Sequence, residues 1–310
     1  MNPTEPPSTP PPFPPSPRAG GPRRDALADR TGYDEAFLGP VVPLALPARA
    51  SVETVILPYT HFTVVFRPDR RLAASTAVCI EGRRLLEDVA RDDLWELDPR
   101  LPEERQTGYD LYRNNGLERA HLVRRQDPVW GTVAEAGQAH TDTFFSTNAV
   151  PQASHTVSPE AEGLGQGRRL WQGLETYLLD HVAAFDRRLC VLAGPVLQDS
   201  DPPYRGVQVP LRFWKVAAFM QDGALAATAY VLDQSPDLGR DAERALAGAK
   251  AGAPPPLGPF RTYQVPVSDV AEIAELELGP LPDVDLMPPM RAPEDRWRRL
   301  ESFEDIAMQG

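Results

Sequence analysis

The sequence predicts a mixed α+β domain over roughly residues 31–280, and three observations carry that prediction. Short β-branched or aromatic runs bounded by turn residues recur along the chain. One long segment, Gln166–Phe185, places apolar residues at helical spacing. The hydrophobic content of 42% is enough to pack a core around both kinds of element.

In order along the chain, residues 1–30 read as a disordered proline-rich tail. The first 22 residues hold ten prolines, with Phe13 as the large apolar side chain. Such a segment buries too little surface to offset the entropy of ordering it. Its polyproline character also suits a proline-reading partner. The strand candidates are Phe62–Phe66, Thr76–Ile80, His121–Val123, Thr143–Thr147, Leu189–Leu197, Phe213–Phe219 and Ala226–Leu232. In Gln166–Phe185 the residues Leu170, Trp171, Leu174, Tyr177, Leu178, Val182 and Phe185 share one helical face. Shorter helices are expected at 83–91 and 240–250. Gly252–Gly258 is a loop, because strand-like residues return at Phe260–Val267 and can rejoin the main sheet. Residues 281–310 form an acidic, proline-rich C-terminal extension, with Trp297, Leu300 and Phe303 as docking points. Both ends are expected to be poorly ordered.

Composition bounds the function classes. A net charge of −12 argues against coating nucleic acid by bulk electrostatics, while leaving room for a locally basic cleft. Acidic residues gather in 87–104 and 269–306; arginines gather at 119–125, 168–169 and 187–188. No run of about 18 apolar residues is present to span a bilayer, so no membrane partner is expected. The start carries neither a basic n-region nor an apolar h-region, and a cytoplasmic location is expected. Cys79 and Cys190 each lie inside an apolar run and read as buried free thiols.

The chemistry concentrates in Leu117-Glu118-Arg119-Ala120-His121-Leu122-Val123-Arg124-Arg125. A histidine titrates near neutral pH and can take a proton from water, while neighbouring arginines hold a phosphate. Other features flank this stretch in a fixed order. Thr76-Ala77-Val78-Cys79-Ile80-Glu81-Gly82, Trp95, Asp98-Pro99-Arg100 and Asp110-Leu111-Tyr112 precede it. Asp142-Thr143-Phe144-Phe145-Ser146-Thr147-Asn148-Ala149-Val150-Pro151-Gln152 follows, then Leu164-Gly165-Gln166 and Trp171-Gln172-Gly173-Leu174-Glu175. Ala193-Gly194-Pro195-Val196 and Val209-Pro210-Leu211-Arg212-Phe213-Trp214-Lys215-Val216 complete the series.

That series, over about residues 55–270, resembles the DNA/RNA non-specific endonucleases, the ββα-metal or His-Me finger nucleases of the Serratia nuclease and endonuclease G type. The resemblance implies a central, mainly antiparallel sheet flanked by helices. It implies hydrolysis of phosphodiester bonds in DNA and RNA with Mg²⁺ or Mn²⁺, contact with the nucleic-acid backbone, and commonly a homodimer. Through it, His121 matches the general base, Arg119 the arginine beside the scissile phosphate, and Glu175 the helix glutamate that supports the metal's hydration shell or the leaving-group side. Arg124 and Arg125 are candidates for a substrate groove, and Asn148 reads as a capper of local backbone.

The chain departs from the family pattern at named positions. Glu118 replaces an aspartate, Ala120 a glycine, and Cys79 a frequent asparagine. Gly165 stands where the family places the asparagine that is the only direct protein ligand of magnesium, and glycine has no side-chain oxygen. Gln166, His155 and Glu162 are the nearby residues able to donate an oxygen or nitrogen instead. Two main readings follow: a working metal-dependent endonuclease with a rearranged ligand, and a degenerate nuclease fold that binds nucleic acid or a partner without turnover. A scaffold protein acting through its proline-rich tail is a third class.

Overall fold

The computed structural model describes residues 24–87, 89, 94–154, 164–181, 188–236, 255, 257–258, 260–287 and 296–306. In chain order its strands are β1 (Leu46–Pro47), β2 (Val55–Pro58), β3 (Phe62–Arg67), β4 (Leu72–Glu81), β5 (Leu117–His121), β6 (Ala149–Ala153) and β7 (Arg188–Pro195). They continue as β8 (Pro203–Tyr204), β9 (Val207–Gln208), β10 (Arg212–Gln221), β11 (Ala224–Asp233), β12 (Arg261–Val265), β13 (Leu276–Glu277) and β14 (Arg298–Arg299). The α-helices are α1 (Tyr109–Tyr112), α2 (Val133–Asp142), α3 (Leu164–His181) and α4 (Val267–Ala274).

Eight strands form one antiparallel sheet in the order β14-β12-β11-β10-β7-β4-β3-β2. Alternation along each strand gives the sheet two apolar faces. On β10, Phe213, Ala217 and Phe219 enter one core with Leu170, Trp171, Leu174 and Leu178 of α3. Trp214, Val216 and Ala218 enter the other, against Tyr33, Val42 and Val270. A sheet covered on both faces explains why β4 is buried along its whole length and reads as a nearly continuous apolar run. Gly194 marks a close crossing within the sheet. A Cβ there would lie 2.5 Å from the Ala74 carbonyl oxygen and 3.0 Å from the Trp214 ring.

On the α3 face, β5 and β6 form a separate antiparallel hairpin, with His121 opposite Ala149 and Arg119 opposite Pro151. The hairpin and α3 together make a β-β-α unit, and this unit carries the site residues.

Several expectations are corrected in detail. The strand expected at His121–Val123 runs instead over Leu117–His121, because Asn148 captures the backbone beyond it. The Val123 N–H donates to Asn148 Oδ1 at 2.9 Å, and Asn148 Nδ2 donates to the Val123 carbonyl at 3.0 Å and the Thr143 carbonyl at 2.9 Å. Thr143–Thr147 is not a strand. It is the end of α2 followed by a 3-10 turn at Ser146–Asn148. No helix forms at 83–87, where Leu85 bridges to Trp130; the rest of that span largely lies outside the described residues. The helix expected at 240–250 lies outside them entirely, as does the N-terminal tail through residue 23.

The C-terminal extension is part of the fold where it is described. β14 pairs with β12, Leu300 and Ile306 are buried in the α3-side core, and Phe303 stacks on Tyr177 at 5.0 Å. Trp297 Nε1 donates to Asp269 at 3.0 Å. The anticipated docking residues therefore dock, and the loose C-terminal end expected from composition does not hold for residues 281–287 and 296–306. Cys79 and Cys190 are buried and unbridged, facing each other across β4 and β7. No described helix is long and apolar enough to cross a membrane.

Candidate functional site

The β-β-α unit lines a cleft of about 290 Å³. Arg119, Ala120 and His121 come from β5, Gln152 from β6, and Arg168, Trp171 and Gln172 from α3. Arg124, Arg125 and Gln126 come from the turn after β5, and Lys215 comes up from β10. The chain is acidic as a whole, yet this cleft gathers four arginines and a lysine.

His121 ends β5, and its ring is held between two aromatic neighbours. Trp95 lies 4.5 Å away at 42°, and Phe144 meets the ring edge-on at 4.8 Å. Behind it, Leu122 N–H donates to the Asn148 carbonyl at 3.0 Å. Asn148, wholly buried, thus fixes the chain just beyond the histidine from two sides. That matches its expected part as a backbone capper. Ala120 pairs with Val150 and is not among the described residues with left-handed backbone, so the methyl group in place of the family's glycine is accommodated as ordinary strand.

Arg119 packs over Tyr112 at 4.8 Å and over Trp95 at 5.9 Å. Burial lowers its guanidinium pKa from the usual value, and no carboxylate among the described residues pairs with it. An arginine that is largely desolvated, stacked on rings and unpaired is prepared to take an anion. Its strand neighbour Glu118 pairs with Arg168, which ties the hairpin to α3. Arg168 also lies over Phe260 at 5.5 Å.

The two candidate groove arginines have different situations. Arg125 lines the cleft with no ion-pair partner among the described residues. Arg124 is committed inward. It donates to Asp127 Oδ1 at 2.7 and 2.9 Å and to the Gln172 carbonyl at 2.8 Å, and its Nε lies 3.2 Å from Glu175 Oε2.

Glu175 is 1% exposed and is not one of the cleft-lining residues. Its Oε1 lies 2.5 Å from Lys215 Nζ, so both carboxylate oxygens face cations of the chain. Lys215 also donates to the Trp171 carbonyl at 2.9 Å and sits over the Trp171 ring at 4.3 Å. Burial pushes the Glu175 carboxyl up, but Arg124 and Lys215 overcome it and hold the pKa below the ordinary carboxylate value. For Lys215, burial lowers the ammonium pKa; the attraction of Glu175 opposes that shift and the repulsion of Arg124 adds to it. Asp127 is pushed up to about 6 by burial, against Arg124's opposing attraction and with Glu175's added repulsion. Its second oxygen, Oδ2, is buried without a hydrogen bond among the described residues, which favours the protonated form.

The structure therefore brings His121, Arg119 and Arg125 into one cleft and places Glu175 beneath it. Lys215, Asp127 and the ring clamp of Trp95 and Phe144 are not marked by the sequence motifs as site residues. Lys215 carried a usable signal: it is a lysine inside the apolar run Phe213–Phe219, and lysine is almost never fully buried unless paired.

Comparison with known proteins agrees with this architecture. The family model for DNA/RNA non-specific endonucleases matches residues 45–283. A protein of Sinorhizobium fredii (strain NBRC 101917 / NGR234), named "Uncharacterized protein y4fB", is 36% identical over 265 residues. That match covers 78% of this chain and 38% of the relative, so the chain spans well under half of the relative's length. Among solved structures, a chain from the crystal structure of the EndoG/EndoGI complex, concerned with the mechanism of EndoG inhibition, superposes with a TM-score of 0.50. It shares 16% identity over 72% of this chain and 84% of its own, which establishes likeness of fold.

The family generally uses a divalent metal. The described residues do not fit one; His155 and Glu162 lie outside them, and so does the side chain of Gln166. Gly165, second residue of α3, offers no side-chain oxygen. Glu175 has both oxygens facing cations, and no group of three or more His, Cys, Asp or Glu able to hold a metal occurs among the described residues.

Proposed function

Because the chain belongs to the DNA/RNA non-specific endonuclease family, we propose that its cleft binds the backbone of DNA or RNA and hydrolyses phosphodiester bonds with His121 as general base. The observation that carries this reading is the convergence, in one cleft of the β-β-α unit, of a ring-clamped histidine with Arg119 and Arg125, neither of which has an ion-pair partner among the described residues. Arg119 grips the scissile phosphate and opposes the charge that grows on its oxygens. Arg125 holds an adjoining phosphate. Water attacks phosphorus and His121 accepts its proton. The bond from phosphorus to the 3′ oxygen breaks with its electron pair going to that oxygen, which is reprotonated from solvent. The product carries a 5′ phosphate. Glu175 acts here as a positioning residue, fixing Lys215 and Arg124 under the cleft.

Gly165 and the fully paired Glu175 favour a second reading, in which the fold binds nucleic acid without turnover. One assay separates them. Purified protein is incubated with supercoiled plasmid and with RNA, beside His121→Ala. The hydrolytic reading expects cleavage that drops by about 10²–10⁴ in the variant. Cleavage that survives in His121→Ala removes the assigned base. Retention of nucleic-acid binding with no cleavage by the wild type favours the second reading.

A further inference from the structure

Beneath the cleft, Asp127 and Glu175 face Arg124 and Lys215, two carboxylates against two fixed cations. When all four groups are ionised, the set is neutral. It therefore offers a divalent cation no surplus negative charge, and each Glu175 oxygen already faces a cation of the chain. The position from which the family's asparagine would reach is Gly165. Lys215, meanwhile, lines the cleft beside His121 and Arg119. An ammonium has three protons. One goes to the Trp171 carbonyl and one faces Glu175, so the third is committed to no oxygen of the described residues.

We propose that this cleft works without a divalent cation, and that the Lys215 ammonium supplies the fixed positive charge facing the phosphate there. The proposal rests on the hydrolytic reading of His121 for its activity arm, and on charge balance alone for its binding arm. In the chemistry above, Lys215 stabilises charge on the departing 3′ oxygen by hydrogen bonding, and the proton balance is unchanged. A preorganised donor in a desolvated site is worth about 10²–10³ in rate. Lysine provides that charge at a fixed place, with Glu175 and Trp171 holding it and its burial limiting competition from water.

The test uses the full chain with Mn²⁺ as probe. Titration followed by the electron paramagnetic resonance of free Mn²⁺ is expected to show no saturable site in the wild type. Plasmid cleavage is expected to persist in excess EDTA, within about twofold of its rate in Mg²⁺, a margin far below the effect of one preorganised donor. Lys215→Met is expected to lose about 10²-fold in EDTA and to recover in part when Mn²⁺ is added, because Glu175 then has a free oxygen. A one-to-one Mn²⁺ isotherm for the wild type overturns the proposal, as does abolition of its cleavage by EDTA. A wild type that cleaves under no condition refutes the hydrolytic reading instead, and the Mn²⁺ isotherm still decides whether the cleft excludes the metal. Both wild-type measurements stand even if Lys215→Met does not fold.

Discussion

Replacing Glu175 by glutamine should destabilise the protein far more than loss of a surface carboxylate would. The side chain is 1% exposed, with Lys215 Nζ 2.5 Å from one oxygen and Arg124 Nε 3.2 Å from the other. Breaking a buried ion pair by removing one partner costs about 3–5 kcal/mol, because it leaves an uncompensated charge behind. At pH 7 Asp127, with its pKa near 6, is ionised and still balances Arg124. The stranded charge is therefore that of Lys215, which is 4% exposed and retains only the Trp171 carbonyl and ring. Glutamine keeps an oxygen for Nζ, so the expected loss is at the low end, about 3 kcal/mol. Glu175→Leu removes that oxygen and should approach about 5 kcal/mol. The assay is urea unfolding at pH 7, read from the midpoint with the slope unchanged. A loss below about 0.5 kcal/mol, the range of ordinary surface substitutions, would refute the buried-network account.

Three further expectations follow from the same packing. Burial pushes the folded-state pKa of Asp127 up to about 6, above the ordinary carboxylate value, so this group favours the folded state most at low pH and loses that contribution as pH rises from about 4 to about 6. Urea midpoints for Asp127→Asn should lack that fall, whereas Glu175, whose pKa is lowered, contributes stability above about 4.5 that disappears as pH drops through its folded value. Arg125→Ala should weaken binding to DNA and RNA alike and reduce the salt slope of binding by about one, read by fluorescence anisotropy at several salt concentrations. Gly194→Ala forces a methyl group to within 2.5 Å of the Ala74 carbonyl oxygen and 3.0 Å of the Trp214 ring, and should lower stability by about 1–3 kcal/mol in thermal or urea unfolding.

The parts of the fold legible in the sequence were those with a single dominant period. Phe213–Phe219 and Ala226–Leu232 became β10 and β11 because residues buried on both faces of a sheet give long β-branched and aromatic runs. Gln166–Phe185 falls on α3, which begins two residues earlier at Leu164 and is described to His181, because one face carries Leu170, Trp171, Leu174 and Leu178. Where a side chain rather than a period decides the backbone, the sequence pattern does not show it. Asn148 ends β5 at His121, and the aromatic pair Phe144 and Phe145 looked like strand although it closes α2. The start of α2 left a readable mark, since Thr132 and Glu135 form a capping box, but its body of Ala, Gly and His lacks a strong apolar stripe. At the site, residue order pointed to His121 and Arg119, while the inward commitment of Arg124 and Glu175 was invisible. Sequence spacing does not reveal that Lys215, forty residues beyond α3's glutamate, arrives from another strand beneath the same helix.

The most direct test of the central claim is cleavage carried out in water enriched in oxygen-18, followed by mass spectrometry of the product ends. Attack by water on phosphorus with departure of the 3′ oxygen predicts one heavy oxygen in the new 5′ phosphate of wild-type products, and a rate of its appearance reduced by about 10²–10⁴ in His121→Ala. Label in 3′-phosphate ends, or equal labelling rates in the wild type and His121→Ala, would contradict the assignment of His121 as the base that activates water in this cleft.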